Sequence, residues 1–399
     1  MNDNEDTLDK IFERAIKGKS IFKDRNTLRI EYVPDKLLFR DEQITRLGQI
    51  LAPILRGNKP SNALLYGKTG TGKTVVAKYV MKKLSEKSKL TNVKFSFVYV
   101  NARLALTEYK ILVEFARELG MYIPFTGLSI SEALDRILIH LANNHLKTIL
   151  ILDEIDFYVK NYGDNLLYEF MRSQEKLPSD SFISLIGISN DLKFKEFLDP
   201  RVLSSLSEEE IVFPPYTVEE LKVILWERAK LAFNEGAITE SAINLCAALA
   251  GAEHGDARRA VDLLRVAGEL AERSGSNQVT DEHVKMAVKS IEKDRIYEAV
   301  RSLPLHAKIV LLSILFFKEP ETTGKIYSKY VELCKKLGIP ELTQRRVSSL
   351  ISELDLLGLV SAPVISKGRF GRSKRVKLAT PIPTIKEALM EDDTIKLLF

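Results

Sequence analysis

Disulfide bridges have almost no raw material in this chain. Cys246 and Cys334 are its two cysteines in 399 residues. They lie far apart, each inside a helical pattern, and suit small buried hydrophobes. Histidine is also scarce, five scattered residues that form no metal-ligand cluster. No apolar run approaches the roughly 20 residues that cross a bilayer as a helix. Met1 to Lys10 is acidic and polar, unlike a secretory leader. These shortages argue against a disulfide-stapled secreted scaffold, a zinc-cluster protein and a helical membrane protein. They point to a cytoplasmic chain, with no membrane partner, that coheres through its core. Hydrophobic residues make up 45% and charged residues 28%, a globular balance. The length suggests two or three domains.

A net basic excess is missing from most of the chain and concentrated at its end. From Arg301 to Phe399, Lys and Arg outnumber Asp and Glu by 17 to 10, whereas residues 1–300 hold 42 against 44. A localised basic excess points to a polyanion partner, although a solvated face on a stable domain has the same composition.

The most informative stretch is Gly67-Lys68-Thr69-Gly70-Thr71-Gly72-Lys73-Thr74, which fits the phosphate-binding loop pattern. A short apolar run, Asn62 to Tyr66, precedes it as a strand. A helical pattern from Val75 follows. Gly67, Gly70 and Gly72 allow close backbone approach, so that the amides of Thr69, Thr71 and their neighbours converge on an anion. The helix N-terminus adds partial positive charge. Lys73 is placed to reach the β- and γ-phosphates of ATP or ADP. Thr74 is placed to hold Mg²⁺.

A second signal is Lys147 to Glu154, a buried strand that ends in two carboxylates. The C-terminal ends of parallel strands carry the ligand crevice. There Asp153 would hold Mg²⁺ and Glu154 would accept a proton from the attacking water. Ser181 to Asp191 reads as another buried strand, with Asn190 at its end as a candidate for orienting that water. Between these strands, residues 102–144 form a mostly helical insertion. Its tip, Gly120 to Ser129, carries Tyr122 and Phe125. Upstream, Pro34 enforces an extended segment before a helix from about Asp41 to Leu55; this apolar segment is either part of a base pocket or a domain edge. Phe213-Pro214-Pro215 marks a boundary, after which residues 216–293 are helical. Thr217 and Glu220 form a capping box, and Arg258 sits in a helix first turn that favours an anion partner.

The last hundred residues read as three helices, His306–Lys318, Thr322–Leu337 and Thr343–Leu357, followed by a hairpin. This is the winged helix-turn-helix order. Thr343, Gln344, Arg345, Arg346 and Ser348 open the third helix and would face bases or phosphates in the major groove. The hairpin carries Lys367, Arg369, Phe370, Arg372 and Lys374, a basic tip suited to the DNA backbone or minor groove. A wing used for protein contacts is the alternative.

In this order, the phosphate loop, Leu-Asp-Glu at 152–154, Ile-Ser-Asn at 188–190, Asp-Pro-Arg-Val at 199–202, Gly-Asp-Ala-Arg-Arg at 255–259 and the winged helix resemble one family. It is the archaeal replication initiators of the origin recognition complex subunit 1 / cell division control protein 6 family, which are AAA+ ATPases. The resemblance covers about residues 15–395 and implies the fold and the function. The fold is an α/β parallel sheet over residues 1–214, a helical lid over 215–298 and a winged-helix domain over 299–399. The function is ATP-regulated binding of double-stranded origin DNA, recruitment of the replicative helicase and slow ATP hydrolysis, with other initiator copies or paralogues as further partners. It also implies residue roles. Val33, Pro34, Leu38, Phe39 and Arg40 pack on adenine. Asn190 and Arg258 are the first and second sensors of the γ-phosphate. Tyr216 and Arg228 contact nucleotide from the lid. Arg201 is an arginine finger for a neighbouring subunit. Tyr122 and Phe125 lie in an initiator-specific insertion that touches DNA. Two other classes share these motifs: a DNA motor or clamp-loader-like ATPase, and an ATP-gated transcription regulator. The insertion between Asn101 and Asn144 favours the initiator.

Overall fold

The computed structural model describes residues 20–91, 93–206, 208–366 and 372–399. They fall into two units, one ending at Val284 and one running from Lys285 to Phe399.

The first unit is built on five parallel strands: β1 (Ala63–Tyr66), β2 (Ser96–Asn101), β3 (Lys147–Asp153), β4 (Phe182–Ser189) and β5 (Glu209–Val212), in the order β2-β3-β4-β1-β5. Strand β3 shows why the sequence reads as an unbroken apolar run. Its alternate side chains enter two cores. Leu150 and Leu152 pack with Phe115, Tyr158 and Phe170. Ile149 and Ile151 pack with Leu47, Leu51 and Val76. Each fully buried apolar side chain contributes about 1.5–3 kcal/mol, and in β3 the polar residues Lys147, Thr148 and Asp153 stand at the two ends. The register collects those ends on one edge: Asn101 pairs with Asp153, Asp153 with Ile188, and Tyr66 with Ser189.

Helix α1 (Asp41–Leu51) is shorter than the sequence suggests, because Pro53 turns its continuation into a 3-10 segment, Ala52–Arg56. Helix α2 (Lys73–Ser88) starts directly from the glycine loop. Strand β5 escaped the sequence reading. It is four residues long, and Glu209 and Glu210 begin it, so it carries no apolar alternation.

The helical part of this unit contains α3 (Val218–Ala232), α4 (Glu240–Ala252) and α5 (Ala257–Arg273). The Thr217–Glu220 capping box forms in both directions. Residues 20–28 are strapped across these helices. Phe22 stacks on Phe233 at 4.8 Å, and Leu28 is buried. Cys246 and Cys334 are both buried thiols without a disulfide.

Helix α6 (Asp281–Arg301) contains the boundary between the units. The second unit then holds α7 (Leu305–Leu315), α8 (Thr323–Leu337) and α9 (Gln344–Leu356) around Ile309, Leu312, Ile326, Tyr330, Val347 and Ile351. Four short strands complete it: β6 (Glu321–Thr322), β7 (Val360–Ser361), β8 (Val364–Ser366) and β9 (Arg372–Leu378). β9 pairs antiparallel with the other three. Three elements were not anticipated. One is the two-residue β6. The others are closing helices, Ile382–Leu389, whose sequence holds a proline on either side of Ile382, and Asp393–Lys396.

Candidate functional site

The glycine loop lies between β1 and α2, with the lid helices closing over it. Gly70 and Gly72 adopt φ +72° and +94°. A Cβ on Gly70 would lie 1.8 Å from an Asp256 carboxylate oxygen, and one on Gly72 would lie 2.8 Å from the Tyr216 hydroxyl. These glycines therefore do two things. They allow the strained backbone, and they leave room for the lid. The Ala257 amide donates to the Gly70 carbonyl at 3.2 Å, which ties the start of α5 to the loop.

Lys73 is 4% exposed. Its ammonium donates to the Gly67 and Lys68 carbonyls at 2.8 and 2.7 Å. Burial pushes it down to about 8, and the Asp153 carboxylate opposes that shift. The charge of Arg258, from the first turn of α5, also reaches Lys73 and Tyr99 and disfavours further positive charge there. Arg258 itself is exposed, and its backbone amide donates to the Asp256 carboxylate at 2.8 Å. Thr69 is exposed at the loop's outer turn, and the buried Thr71 hydroxyl donates to the Lys68 carbonyl at 2.8 Å.

At the end of β3, Asp153 accepts from the Thr74 hydroxyl at 2.7 Å and from the Tyr99 hydroxyl at 2.8 Å. Glu154 follows with φ +55°. Its carboxylate accepts from the Asn101 amide at 3.4 Å and pairs with Arg103 at 3.3 Å. Asn190 is half-buried one residue beyond β4, where its amide donates to Asp156 at 3.1 Å. Tyr99, Asn101, Arg103 and Asp256 were missed as site residues. The available signal was position: Tyr99 and Asn101 lie at the C-terminal end of a strand parallel to β3.

The segment expected to pack on adenine is pinned at both ends. Val33, Pro34 and Leu38 are half-buried, whereas Phe39 is exposed with φ +58°. Arg228 donates to the Thr27 and Tyr32 carbonyls at 2.8 and 3.3 Å, and its guanidinium lies 4.6 Å from the Tyr32 ring centroid. It is thus engaged with this segment. Arg40 lies 3.7 Å from the Tyr216 ring centroid. Arg201 is surface-exposed and pairs with Asp199 at 3.0 Å.

In the second unit, Thr343 caps α9, and Gln344, Arg345 and Arg346 are exposed in its first turn, with Ser348 half-buried. Arg346 pairs with Glu353 at 3.1 Å. The approach to this turn is fixed from inside: the buried Tyr330 hydroxyl accepts the Leu342 amide at 3.1 Å and meets His306 Nδ1 at 2.8 Å. Lys374 bonds the Ser352 hydroxyl of α9, joining hairpin to helix. Arg372 begins β9. Lys367, Arg369 and Phe370 lie outside the described residues. On the insertion, Tyr122 and Phe125 are 80% and 75% exposed, anchored by a Tyr109 hydroxyl bond to the Pro124 carbonyl at 2.6 Å.

Family models match three successive stretches: an AAA domain over residues 56–191, a Cdc6 AAA+ ATPase-type lid domain over 222–289 and a CDC6 C-terminal winged helix domain over 298–388. The ORC1-type DNA replication protein 1 of Sulfurisphaera tokodaii is 48% identical over 394 residues, 97% of this chain and 98% of its own. The chain belongs to the ORC1-type DNA replication proteins. Another family member, from Thermococcus onnurineus, is 47% identical over 99% of this chain and 97% of its own. The solved structure of the Aeropyrum pernix ORC1 protein in complex with DNA shares 48% identity, covers 96% of this chain and 100% of its own, and superposes with a TM-score of 0.89. ORC1-type membership makes the chain a replication initiator with an AAA+ ATPase domain and a winged-helix domain. Among the described residues, no helix is long and apolar enough to cross a membrane.

Proposed function

We propose that this chain binds double-stranded origin DNA under the control of a bound ATP or ADP, and that it helps to recruit the replicative helicase. The observation that carries the reading is the loop's own geometry: Lys73 buried against the Gly67 and Lys68 carbonyls, the Thr74 hydroxyl on the Asp153 carboxylate, and the start of the lid helix bonded to Gly70. A nucleotide's phosphates fit on this loop beneath the lid, within reach of Arg258. ATP and ADP therefore differ in how strongly they hold the lid, which gives the switch its energy.

Lys73 leaves the Gly67 and Lys68 carbonyls to reach the β- and γ-phosphates. Arg258 contacts the γ-phosphate from the lid. Val33, Pro34 and Leu38 enclose the base, and Tyr216 flanks the loop. The donor set suits Mg²⁺, because the Thr74 hydroxyl and Asp153 carboxylate are hard oxygens 2.7 Å apart. They would hold the ion, which supplies charge neutralisation on the phosphates. Glu154 takes the proton of the attacking water and Asn190 orients that water. Arg201, exposed, serves a neighbouring initiator copy, so the isolated chain hydrolyses ATP slowly.

On the DNA side, Arg345, Arg346 and Gln344 enter the major groove, and the hairpin with Lys367, Arg369, Phe370, Arg372 and Lys374 follows the backbone. Tyr122 and Phe125 add an aromatic contact from the ATPase unit. The A. pernix relative forms a DNA complex, which supports this reading. Chromosome-wide footprinting in the host tests it. Protection concentrated where copying begins is expected; protection spread over promoters favours a transcription regulator instead.

A further inference from the structure

Arg40 is 3% exposed, yet among the described residues no carboxylate pairs with it directly, and the Glu220 carboxylate acts on it only from beyond ion-pair distance. Its guanidinium instead donates to backbone carbonyls in separate segments. Nε meets Thr71 of the phosphate loop at 2.9 Å. One terminal nitrogen meets its own segment at Phe39, 2.7 Å, and the other meets Pro214, between sheet and lid, at 2.7 Å. The plane stacks on Tyr216, two residues further along. Burial lowers its pKa from the ordinary arginine value, but a guanidinium so placed stays charged. A buried cation whose counter-charge is not in contact with it is costly. An uncharged side chain would not carry that penalty, but neither would it reach three carbonyls from one rigid plane.

Arg40 also lies beside the loop: Nε is 3.7 Å from where a Cβ on Gly72 would stand. Phosphates in the loop bring further negative charge near this cation. We propose that Arg40 is a positioning residue that couples the phosphate loop to the lid hinge. Through the Thr71 and Pro214 carbonyls and the Tyr216 ring, one side chain fixes the spacing between loop and hinge. An anion in the loop strengthens that fixation. This rests on the nucleotide reading above, and it assigns Arg40 a task that does not require touching the nucleotide.

Hydrogen exchange on the full chain, with and without saturating ADP, separates the two claims. The loop amides of Gly72 to Thr74 report occupancy. The amides of Tyr216 and Ala257, bonded to the Gly255 and Gly70 carbonyls, report the hinge and lid. In the wild type, ADP slows both sets. In Arg40→Lys, which keeps the charge but loses the planar fork, saturating ADP still slows the loop amides. The slowing at Tyr216 and Ala257 falls by about tenfold, the scale of one hydrogen bond to a charged group. A purely structural role would raise exchange at these amides equally with and without ADP and leave the ADP-dependent slowing intact. Tyr216→Leu, which leaves Arg40 its carbonyls, loses part of the hinge response and serves if Arg40→Lys does not fold. Wild-type hinge slowing in whichever variant folds overturns the coupling role. Absence of loop slowing in the wild type overturns the nucleotide reading itself.

Discussion

The two units use basic residues in opposite ways. In the first, Lys73 and Arg40 are buried, and their N–H groups are spent on backbone carbonyls around the phosphate loop. In the second, Arg345 and Arg346 stand in solvent on a capped helix start. Burial makes a cation specific, because only an anion of the right shape repays its lost hydration. Exposure makes it permissive, because a phosphate backbone of any sequence satisfies it and salt competes. A switch needs both: a discriminating site for the signal and a broad grip for the load.

Removing the buried cation should have the largest effect. Lys73→Ala forfeits charge-assisted bonds to two phosphates, each about 1.5–3 kcal/mol, so nucleotide affinity by calorimetry falls by at least about 100-fold. DNA affinity measured without nucleotide should stay as in the wild type. If both fall together, the two regions are not separable. Replacing Arg345 and Arg346 with Ala should do the reverse. Duplex affinity falls and the slope of log affinity against log salt drops by about 2, one for each lost phosphate contact, with ADP binding intact. A wild-type slope shows that these arginines are not on the DNA.

Gly70→Ala sharpens the comparison on the buried side. Its methyl would strike Asp256 and strain the backbone, so the lid contact at Ala257 opens and ADP binding weakens about tenfold, the range of one strained residue. A variant with wild-type affinity would mean that the lid need not approach the loop.

A further effect, confined to alkaline pH, is on stability. Burial holds Lys73 near 8, below its ordinary 10.5. The folded, nucleotide-free chain therefore binds fewer protons than the unfolded chain between those values. The penalty is full below pH 8 and disappears as pH rises toward 10.5. The wild type should gain up to about 3 kcal/mol over Lys73→Met across that window, by denaturant titration. No relative gain means that the ammonium is not desolvated.

How much of this was legible in the sequence follows the same division. The phosphate loop, β3 with its carboxylate pair, and the helix-helix-helix-hairpin order are local patterns, and periodicity and glycine spacing expose them. The Arg40 contacts are not local. They join residues 31 and 174 positions apart, and nothing in the spacing of arginine, threonine and proline announces them. The restraint of Glu154 by Asn101 and Arg103 is hidden likewise, since only the parallel register of β2 on β3 brings them together. Strand β5 was invisible because its two glutamates deny it an apolar signature.

The central claim is that nucleotide state in the buried site sets the grip of the exposed one. Its most direct test is duplex DNA affinity at fixed salt with saturating ATP and with saturating ADP, in the wild type and in Lys73→Ala. The account predicts a difference between nucleotides in the wild type that vanishes in the variant. Equal wild-type affinity with ATP and ADP would contradict it.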